Sequence, residues 1–176
     1  MNMLSDPELY ELAERVAHKL RAADRRIVTA ESCTGGWVAK TLTDIPGSSQ
    51  WFECGYVTYS DAAKVRDLGV APATLAEFGA VSAQTAREMA LGALRVPGVS
   101  VALSVTGIAG PDGGTPAKPV GTVWFCAVAR GPRGLKVIAD RHLFTGDRAA
   151  VRSGSVRYAL EMLARPDLLA DSASAG

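Results

Sequence analysis

The chain has 176 residues, of which 48% are hydrophobic and 21% are charged. This length is enough for one well-buried core and short for two full domains, so we expect a single domain. The 19 basic and 18 acidic side chains leave a formal charge of +1, which does not favour nucleic acid or an anionic membrane as a general partner.

The cysteines and histidines give no sign of a metal site. Cys33, Cys54 and Cys126 cannot all pair within one chain, and none belongs to a CxxC motif or lies near His18 or His142. We therefore expect no metal and a reducing compartment, the cytoplasm. The chain opens with no signal segment and has no apolar run near the roughly 20 residues of a membrane helix, so no membrane association is expected.

The first segments in chain order alternate helix and strand. Residues 5–24 carry apolar side chains at helical spacing, with Ser5 and Glu8 at capping-box spacing, and predict a packing helix. Residues 25–30 then predict a strand, and residues 36–43 predict a helix.

The turn between this strand and helix reads Thr29-Ala30-Glu31-Ser32-Cys33-Thr34-Gly35-Gly36. Such a turn exposes side chains at the carboxyl edge of a sheet and directs unpaired helix N–H groups at a ligand. The hydroxyls of Ser32 and Thr34 and the two glycines therefore offer a candidate nucleophile, a cap and close backbone approach. Serine or threonine before glycine is also ordinary helix-start chemistry. Cys33 is an alternative nucleophile, although a buried inert thiol is the commoner case.

The second strand leads into another strand-to-helix junction. Residues 51–59 are rich in aromatic and β-branched side chains and predict a strand, in which Gly55 marks a bulge or a close approach. A short capped helix follows to Leu68. Tyr59 and Lys64 lie at this junction, where a rim aromatic and a solvated lysine are the commoner roles.

The middle of the chain predicts two helices and a buried strand. Residues 73–78 and 82–95 have helical patterns, and the second has a narrow apolar face suited to packing on a sheet. Residues 99–105 are nearly all apolar, as in a central strand. The glycine-rich loop at 106–114 follows and is either a flexible connection or an anion cradle. Its position favours the cradle, although it matches neither the Walker pattern nor GxGxxG and so does not support a triphosphate or dinucleotide site.

The last third predicts a hairpin, a helix and a tail. Residues 121–129 and 135–144 form the hairpin, in which His142 is expected to be structural. Residues 147–164 predict a helix with Asp147 as its cap and with Arg148, Arg152 and Arg157 along it. Residues 166–176 are expected to be a flexible tail after a domain spanning 1–165.

This order of elements predicts an α/β fold, a three-layer α/β/α sandwich whose sheet is mostly parallel with one antiparallel strand from the hairpin. Parallel strand ends would bring Ser32, Tyr59, Lys64 and Thr106 to one edge. Because the histidines are poorly placed for a triad, a lysine with a lowered pKa could accept the serine proton instead, and a tyrosine hydroxyl could relay it. For Thr106, a strand-end hydroxyl bonded to the backbone is the commoner role.

Backbone donors near this edge are candidates for binding the substrate and its oxyanion. They lie in the serine turn, together with the Thr106 hydroxyl and the glycine-rich loop. The candidate substrate-binding positions are Thr34, Gly35, Gly36, Gly107 and Gly110.

Six motifs occur in order along nearly the whole chain, from about residue 8 to residue 163. They are Ala30-Glu31-Ser32-Cys33-Thr34-Gly35-Gly36, Pro46-Gly47-Ser48-Ser49, Val57-Thr58-Tyr59-Ser60 with Lys64, Gly79-Ala80-Val81-Ser82, Thr106-Gly107-Ile108-Ala109-Gly110-Pro111 and Lys118-Pro119-Val120-Gly121-Thr122. With these motifs the chain resembles the CinA C-terminal family, the nicotinamide-nucleotide amidases. The resemblance implies a three-layer sandwich with a mixed sheet.

The activity implied by the resemblance is hydrolysis of the carboxamide of nicotinamide mononucleotide to nicotinate mononucleotide and ammonia. It implies Ser32 as nucleophile, Lys64 and Tyr59 as base and proton relay, and Thr106 as a hydroxyl in the same site. Arg148 matches the family's F-x-G-D-R pattern and would face the substrate phosphate, although an exposed arginine bonded to an aspartate is the plainer alternative. No cofactor is implied, and a homodimer or higher homo-oligomer is expected.

Two departures from the family accompany this resemblance. The N-terminal domain of larger CinA proteins has no counterpart in this sequence, so its pyrophosphatase activity is not expected. Cys54-Gly55 replaces a frequent Gly-Gly pair beneath Tyr59. Two other functions stay open: a non-catalytic nucleotide- or partner-binding module, and an amidase for another small amide.

Overall fold

The structure, a computed structural model, describes residues 6–169. Within these residues five strands form one sheet, with helices on both faces. The strands are β1 (Ile27–Glu31), β2 (Phe52–Val57), β3 (Val101–Gly107), β4 (Thr122–Gly131) and β5 (Gly134–Leu143). The helices are α1 (Asp6–Ala22), α2 (Trp37–Thr43), α3 (Asp61–Leu68), α4 (Pro72–Phe78), α5 (Ala83–Ala93), α6 (Arg148–Leu163) and α7 (Pro166–Leu169), with a short 3₁₀ turn at Ser48–Gln50.

The strands lie in the order β2-β1-β3-β4-β5. β1 pairs in parallel with both β2 and β3, whereas β4 is antiparallel to β3 and to β5. Four strands therefore point one way and β4 opposes them. This confirms the predicted mostly parallel sheet with one antiparallel strand, and β3 occupies the centre that its apolar sequence predicted.

Helices cover the two faces of the sheet and enclose two clusters of apolar side chains. α1, α2, α6 and α7 contribute to the cluster on one face, and α3 and α5 contribute to the cluster on the other. α4 packs on α5. The α/β/α sandwich predicted from the alternation of strands and helices is confirmed, and its parallel strands end at one edge.

Small side chains let α5 lie close to its neighbours. Ala86, Met89, Ala90 and Ala93 are fully buried, as the narrow apolar face predicted. A Cβ atom added to Gly92 would lie 1.9 Å from the carbonyl oxygen of Leu68, so only glycine permits this contact with the end of α3.

Gly55 is a point of close approach, as its place in the strand predicted. A Cβ atom there would lie 2.9 Å from Oγ1 of Thr29 and 3.0 Å from Cβ of Ala39. The irregularity in the β1–β2 register lies earlier, at Glu53, between the Ile27–Phe52 and Val28–Cys54 pairs. The glycine therefore lets α2 pack tightly on the edge strand behind the serine turn.

The C-terminal boundary differs from the expectation. Residues 166–169, expected to belong to a flexible tail, form α7, because Leu168 packs into the core and is only 2% exposed. The expected Ser5 cap and residues 170–176 lie outside the described residues. Between residues 6 and 169, no helix combines the length and apolar character needed to cross a membrane.

Candidate active site

The candidate site lies where three parallel strands end. The amide of Ser32 donates to the carbonyl oxygen of Val105 at 2.9 Å, and the amide of Thr58 donates to that of Glu31 at 2.9 Å. These bonds continue the parallel ladders by one residue, so Ser32 lies between Thr58 and Thr106 at the sheet edge. The predicted meeting of these strand ends is confirmed.

Ser32 and Lys64 are in direct contact in this site. Nζ of Lys64 lies 3.2 Å from Oγ of Ser32. The amine also donates to the carbonyl oxygen of Thr58 at 2.8 Å and to that of Tyr59 at 3.4 Å. Both side chains are buried, with 8% of Ser32 and 1% of Lys64 exposed. These three hydrogen-bond partners of the amine are all neutral.

This environment favours a neutral amine. Burial lowers the pKa of Lys64, and the negative charge of Asp61 on the same helix opposes this effect without reversing it. A lysine with a lowered pKa and a serine hydroxyl within hydrogen-bond reach are the two parts that proton transfer from a nucleophile requires.

A cavity of about 280 Å³ opens beside this pair. Its size approaches the range of small-molecule pockets, about 300–1,000 Å³. Seven of the predicted site residues line it, namely Ser32, Tyr59, Lys64, Thr106, Gly107, Gly110 and Arg148. The structure therefore brings the predicted catalytic residues to one cavity.

Tyr59 and Arg148 lie at the mouth of the cavity. The Tyr59 side chain is 58% exposed, and its hydroxyl accepts a hydrogen bond of 2.7 Å from Nη2 of Arg148. Nη1 of Arg148 donates to the carbonyl oxygen of Gly110 at 2.9 Å. Arg148 therefore joins two walls of the cavity, and the Tyr59 hydroxyl contacts this guanidinium rather than Ser32.

The Thr106 hydroxyl is buried and engaged with the backbone. Its Oγ1 atom donates to the carbonyl oxygen of Ala80 at 2.8 Å, and the residue is 1% exposed. Thr106 thus holds the segment between α4 and α5 against the cavity. Ala80 and Val81 of that segment also line the cavity, although their motif in the sequence did not indicate a place in the site.

Glu31 occupies the N-terminus of α2. Its buried carboxylate accepts hydrogen bonds from the amides of Gly36, Val38 and Ala39 at 3.1, 3.0 and 2.8 Å. A carboxylate at this position accepts hydrogen bonds from the unpaired N–H groups of the helix, and its negative charge interacts favourably with the helix dipole. The signal for this contact in the sequence is an acidic residue shortly before the start of a helix.

The expected role of Thr34, Gly35 and Gly36 is therefore corrected. None of the three is among the described residues that line the cavity. The Gly36 amide is bonded to Glu31, the Gly35 amide donates to the carbonyl oxygen of Ser32 at 3.0 Å, and Thr34 is fully buried. The carboxylate supplied by the chain itself takes the place that the sequence suggested for a ligand.

Arg152, on α6, holds the opposite side of the serine turn. Its Nε atom donates to the carbonyl oxygen of Cys33 at 3.2 Å, and Nη2 donates to that of Thr34 at 3.0 Å. The guanidinium also lies 5.6 Å from the centre of the Trp37 ring. The sequence placed Arg152 on the last helix without indicating this contact, because the partners are more than 100 positions apart.

Cys33 lacks the character of a nucleophile. It lines the cavity but is only 4% exposed, and burial raises the pKa of its thiol to about 12. A thiol with this pKa stays protonated near neutral pH. In the described part of the chain, no group of three or more His, Cys, Asp or Glu side chains is placed to hold a metal ion.

Comparisons with known proteins match nearly the whole chain to one family. The family described as CinA C-terminal domain matches residues 9–166. A relative from Escherichia coli (strain K12), named nicotinamide-nucleotide amidohydrolase PncC, is 53% identical over 91% of this chain and 95% of its own length. A Pseudomonas putida protein of the same name is 50% identical over 86% of this chain and 92% of its own length.

A solved structure gives the same result for the fold. The competence/damage inducible protein CihA from Agrobacterium tumefaciens superposes with a TM-score of 0.84 at 45% sequence identity, covering 90% of this chain and 94% of that one. The family match extends across the segments that carry Ser32, Lys64 and Thr106. The chain therefore belongs to the CinA C-terminal domain family.

Proposed function

We propose that this protein hydrolyses the carboxamide of nicotinamide mononucleotide, giving nicotinate mononucleotide and ammonia, with Ser32 as nucleophile and Lys64 as base. The observation that carries the mechanism is the 3.2 Å contact between Oγ of Ser32 and the buried amine of Lys64. The enzyme class rests on relatives about half identical to this chain that bear the name nicotinamide-nucleotide amidohydrolase.

The proton is proposed to move directly from Ser32 to Lys64. Neutral Nζ accepts the hydroxyl proton while Oγ bonds to the carboxamide carbon, and the resulting ammonium then protonates the departing nitrogen, which leaves as ammonia. Water, deprotonated by the same amine, attacks the ester on Ser32 and releases the carboxylate. Tyr59 takes no part in this transfer, since its hydroxyl is bonded to Arg148.

The oxyanion donor is proposed to be the amide of Cys33, because this residue lines the cavity. The neighbouring amides are engaged elsewhere, since the Ser32 amide donates to a carbonyl oxygen of β3 and the Gly36 amide donates to the Glu31 carboxylate. Arg152 holds the turn in place through its bond to the Cys33 carbonyl oxygen. A donor fixed in this way needs no reorganisation when charge develops on the substrate oxygen.

Arg148 is proposed to bind the substrate phosphate. Its guanidinium uses two of its donors on Tyr59 and Gly110, and it lines the mouth of the cavity, where the ribose phosphate of a bound nucleotide would emerge. A guanidinium has five N–H donors, so others are free to bind a phosphate at that position.

The direct test is ammonia release from nicotinamide mononucleotide by the purified protein and by Ser32→Ala. The wild type should release ammonia, and the variant should lose about 10³-fold or more in kcat, because the nucleophile is gone. Ser49→Ala, at an exposed serine, is the matched control. Tight binding without ammonia from the wild type would instead identify a non-catalytic binding module.

A second arm tests the substrate. Arg148→Gln should lower kcat/KM for nicotinamide mononucleotide about 10-fold to 100-fold, while leaving the rate with nicotinamide riboside nearly unchanged. Arg157→Gln, on the same helix and paired with Glu161, is the control. Equal activity of the wild type on the nucleotide and on a small amide without phosphate would point to an amidase of another specificity.

A further inference from the structure

A second cavity, of about 360 Å³, adjoins the Ser32 cavity on the same face of the sheet. Val81 lines both cavities. The second cavity is bounded on the sheet side by Thr122 and Trp124 of β4 and by Arg141 of β5. Its volume lies within the range typical of small-molecule sites, and the activity proposed above leaves it without a role.

The strand register connects the two cavities. Ser32 lies beside Thr106 at the end of the parallel ladder, Thr106 pairs with Trp124, and Trp124 pairs with Arg141. Residues directly opposite one another on paired strands project from the same face of a sheet. Ser32, Thr106, Trp124 and Arg141 therefore form a row, which we call the edge row, that runs from the reacting serine into the second cavity.

The polar groups of the second cavity suit an anionic, planar ligand. Arg141 is exposed, and within residues 6–169 its guanidinium has neither an ion pair nor a hydrogen bond. The half-buried ring of Trp124 lies beside it in the edge row. Thr122 is fully buried, and its hydroxyl lacks a hydrogen-bond partner in the described structure.

The remaining charged groups leave this cation available. Nζ of Lys118 donates to the carbonyl oxygen of Phe78 at 2.6 Å and so ties the rim of the cavity to the end of α4. Glu77 is the acidic side chain of the lining. An aromatic ring that can stack with a base and a guanidinium that can bind a phosphate are the two groups that recognise a nucleotide.

We propose that the second cavity binds a nucleoside monophosphate unit, with its base against Trp124 and its phosphate on Arg141. This proposal rests on the proposed function, which places a nicotinamide group in the Ser32 cavity. The unit in the second cavity is either a free nucleotide or the distal half of a pyridine dinucleotide whose nicotinamide end lies beside Ser32. Both ligands present the same chemistry to the edge row.

Calorimetry on the full chain tests this proposal with AMP and NAD⁺ as probes, using Ser32→Ala as the background so that no amide is turned over. Both probes should bind, and adding Arg141→Gln or Trp124→Ala should weaken each at least about tenfold. Arg133→Gln, at the opposite end of the same hairpin, should leave binding unchanged. Circular dichroism establishes that each variant is folded.

Competition with nicotinamide mononucleotide then identifies the source of the unit. Simultaneous binding of AMP and the mononucleotide supports a separate nucleotide, and displacement of NAD⁺ by the mononucleotide supports a dinucleotide that spans both cavities. Absence of binding by both probes, or equal binding with and without Arg141→Gln and Trp124→Ala, overturns the proposal. Ammonia release by the wild type is measured separately, so failure of the proposed activity is distinguishable from failure of this site.

Discussion

Two buried ionisable residues, Glu31 and Lys64, contact the serine turn, and their surroundings differ. The Glu31 carboxylate is saturated by three amides and the positive end of α2, whereas the Lys64 amine meets a hydroxyl and two carbonyl oxygens. Each residue is 1% exposed. The carboxylate of Glu31 is fully hydrogen-bonded, so it stabilises the local structure. Among the described residues the amine of Lys64 has no carboxylate partner, so burial favours its neutral form, which can accept a proton.

The largest effect is expected from substitution of Lys64, which should lower activity without lowering stability. Lys64→Met should lower kcat about 10²-fold to 10⁴-fold while keeping or raising the free energy of unfolding, because it removes the base and replaces a buried amine, whose charged form burial disfavours, with an apolar side chain. Lys64→Arg should be equally inactive, since a guanidinium does not give up its proton in a protein.

Kinetics and urea unfolding of the same preparations measure both halves of this prediction. Lys40→Met, at an exposed lysine paired with Asp44, should change the unfolding free energy by less than about 1 kcal/mol and leave kcat intact. Retained activity in Lys64→Met would contradict the assigned base.

Glu31 should show the opposite pattern, with stability as the main loss. Glu31→Ala leaves three amides of α2 without acceptors and should cost about 2–4 kcal/mol of unfolding free energy. Glu31→Gln keeps an acceptor oxygen and should cost about half as much. Glu14→Ala, on the exposed side of α1, is the control in urea unfolding. An unchanged urea midpoint for Glu31→Ala would contradict the stabilising role assigned to Glu31.

The pH dependence of the unfolding free energy gives a second test of the surroundings of Lys64. Because the pKa of Lys64 is lowered on folding, the folded state binds fewer protons than the unfolded state between that pKa and the ordinary lysine value of about 10.4. Lys64 therefore makes stability rise with pH in this window, by at most about 1.4 kcal/mol per pH unit.

The buried thiols act in the opposite direction. Burial raises the pKa of Cys33 and Cys126 to about 12, so their contribution to stability is lost as the pH rises above the ordinary thiol value. The difference in unfolding free energy between the wild type and Lys64→Met isolates the lysine contribution. A difference that falls with pH would contradict the lowered pKa.

The smallest effect is expected at Cys33, next to the nucleophile. Cys33→Ala should keep kcat/KM within about twofold of the wild type, because a thiol with a pKa near 12 does not supply a nucleophile at neutral pH. Cys126→Ala, at a thiol buried on the other face of the sheet, is the matched control for lost packing. A loss comparable to that of Ser32→Ala would move the nucleophile to Cys33.

The sequence predicted which residues meet in this site better than it predicted the contacts that hold them in place. Alternating strands and helices, with Ser32 and Thr106 directly after strands and Lys64 on the helix that follows β2, were enough to place these residues at one edge of the sheet. The contacts of Arg152 with Cys33 and of Arg148 with Tyr59 join residues 119 and 89 positions apart. Such pairs depend on how α6 packs, which local patterns do not encode.

Glu31 illustrates a different limit. Its carboxylate bonds amides only five to eight positions away, yet the sequence also allowed those amides to face a ligand. The outcome depends on the direction of one side chain at the end of β1. Local chemistry thus predicted a donor-rich helix start, and the tertiary structure determined which acceptor occupies it.

The central claim, that a neutral Lys64 removes the proton of Ser32, is tested most directly by the pH dependence of kcat/KM for nicotinamide mononucleotide. The value of kcat/KM should fall with decreasing pH as the amine becomes protonated, with a limiting slope of about one, because an ammonium cannot accept the serine proton. A flat profile from about pH 6 to about pH 9 would contradict a lysine base.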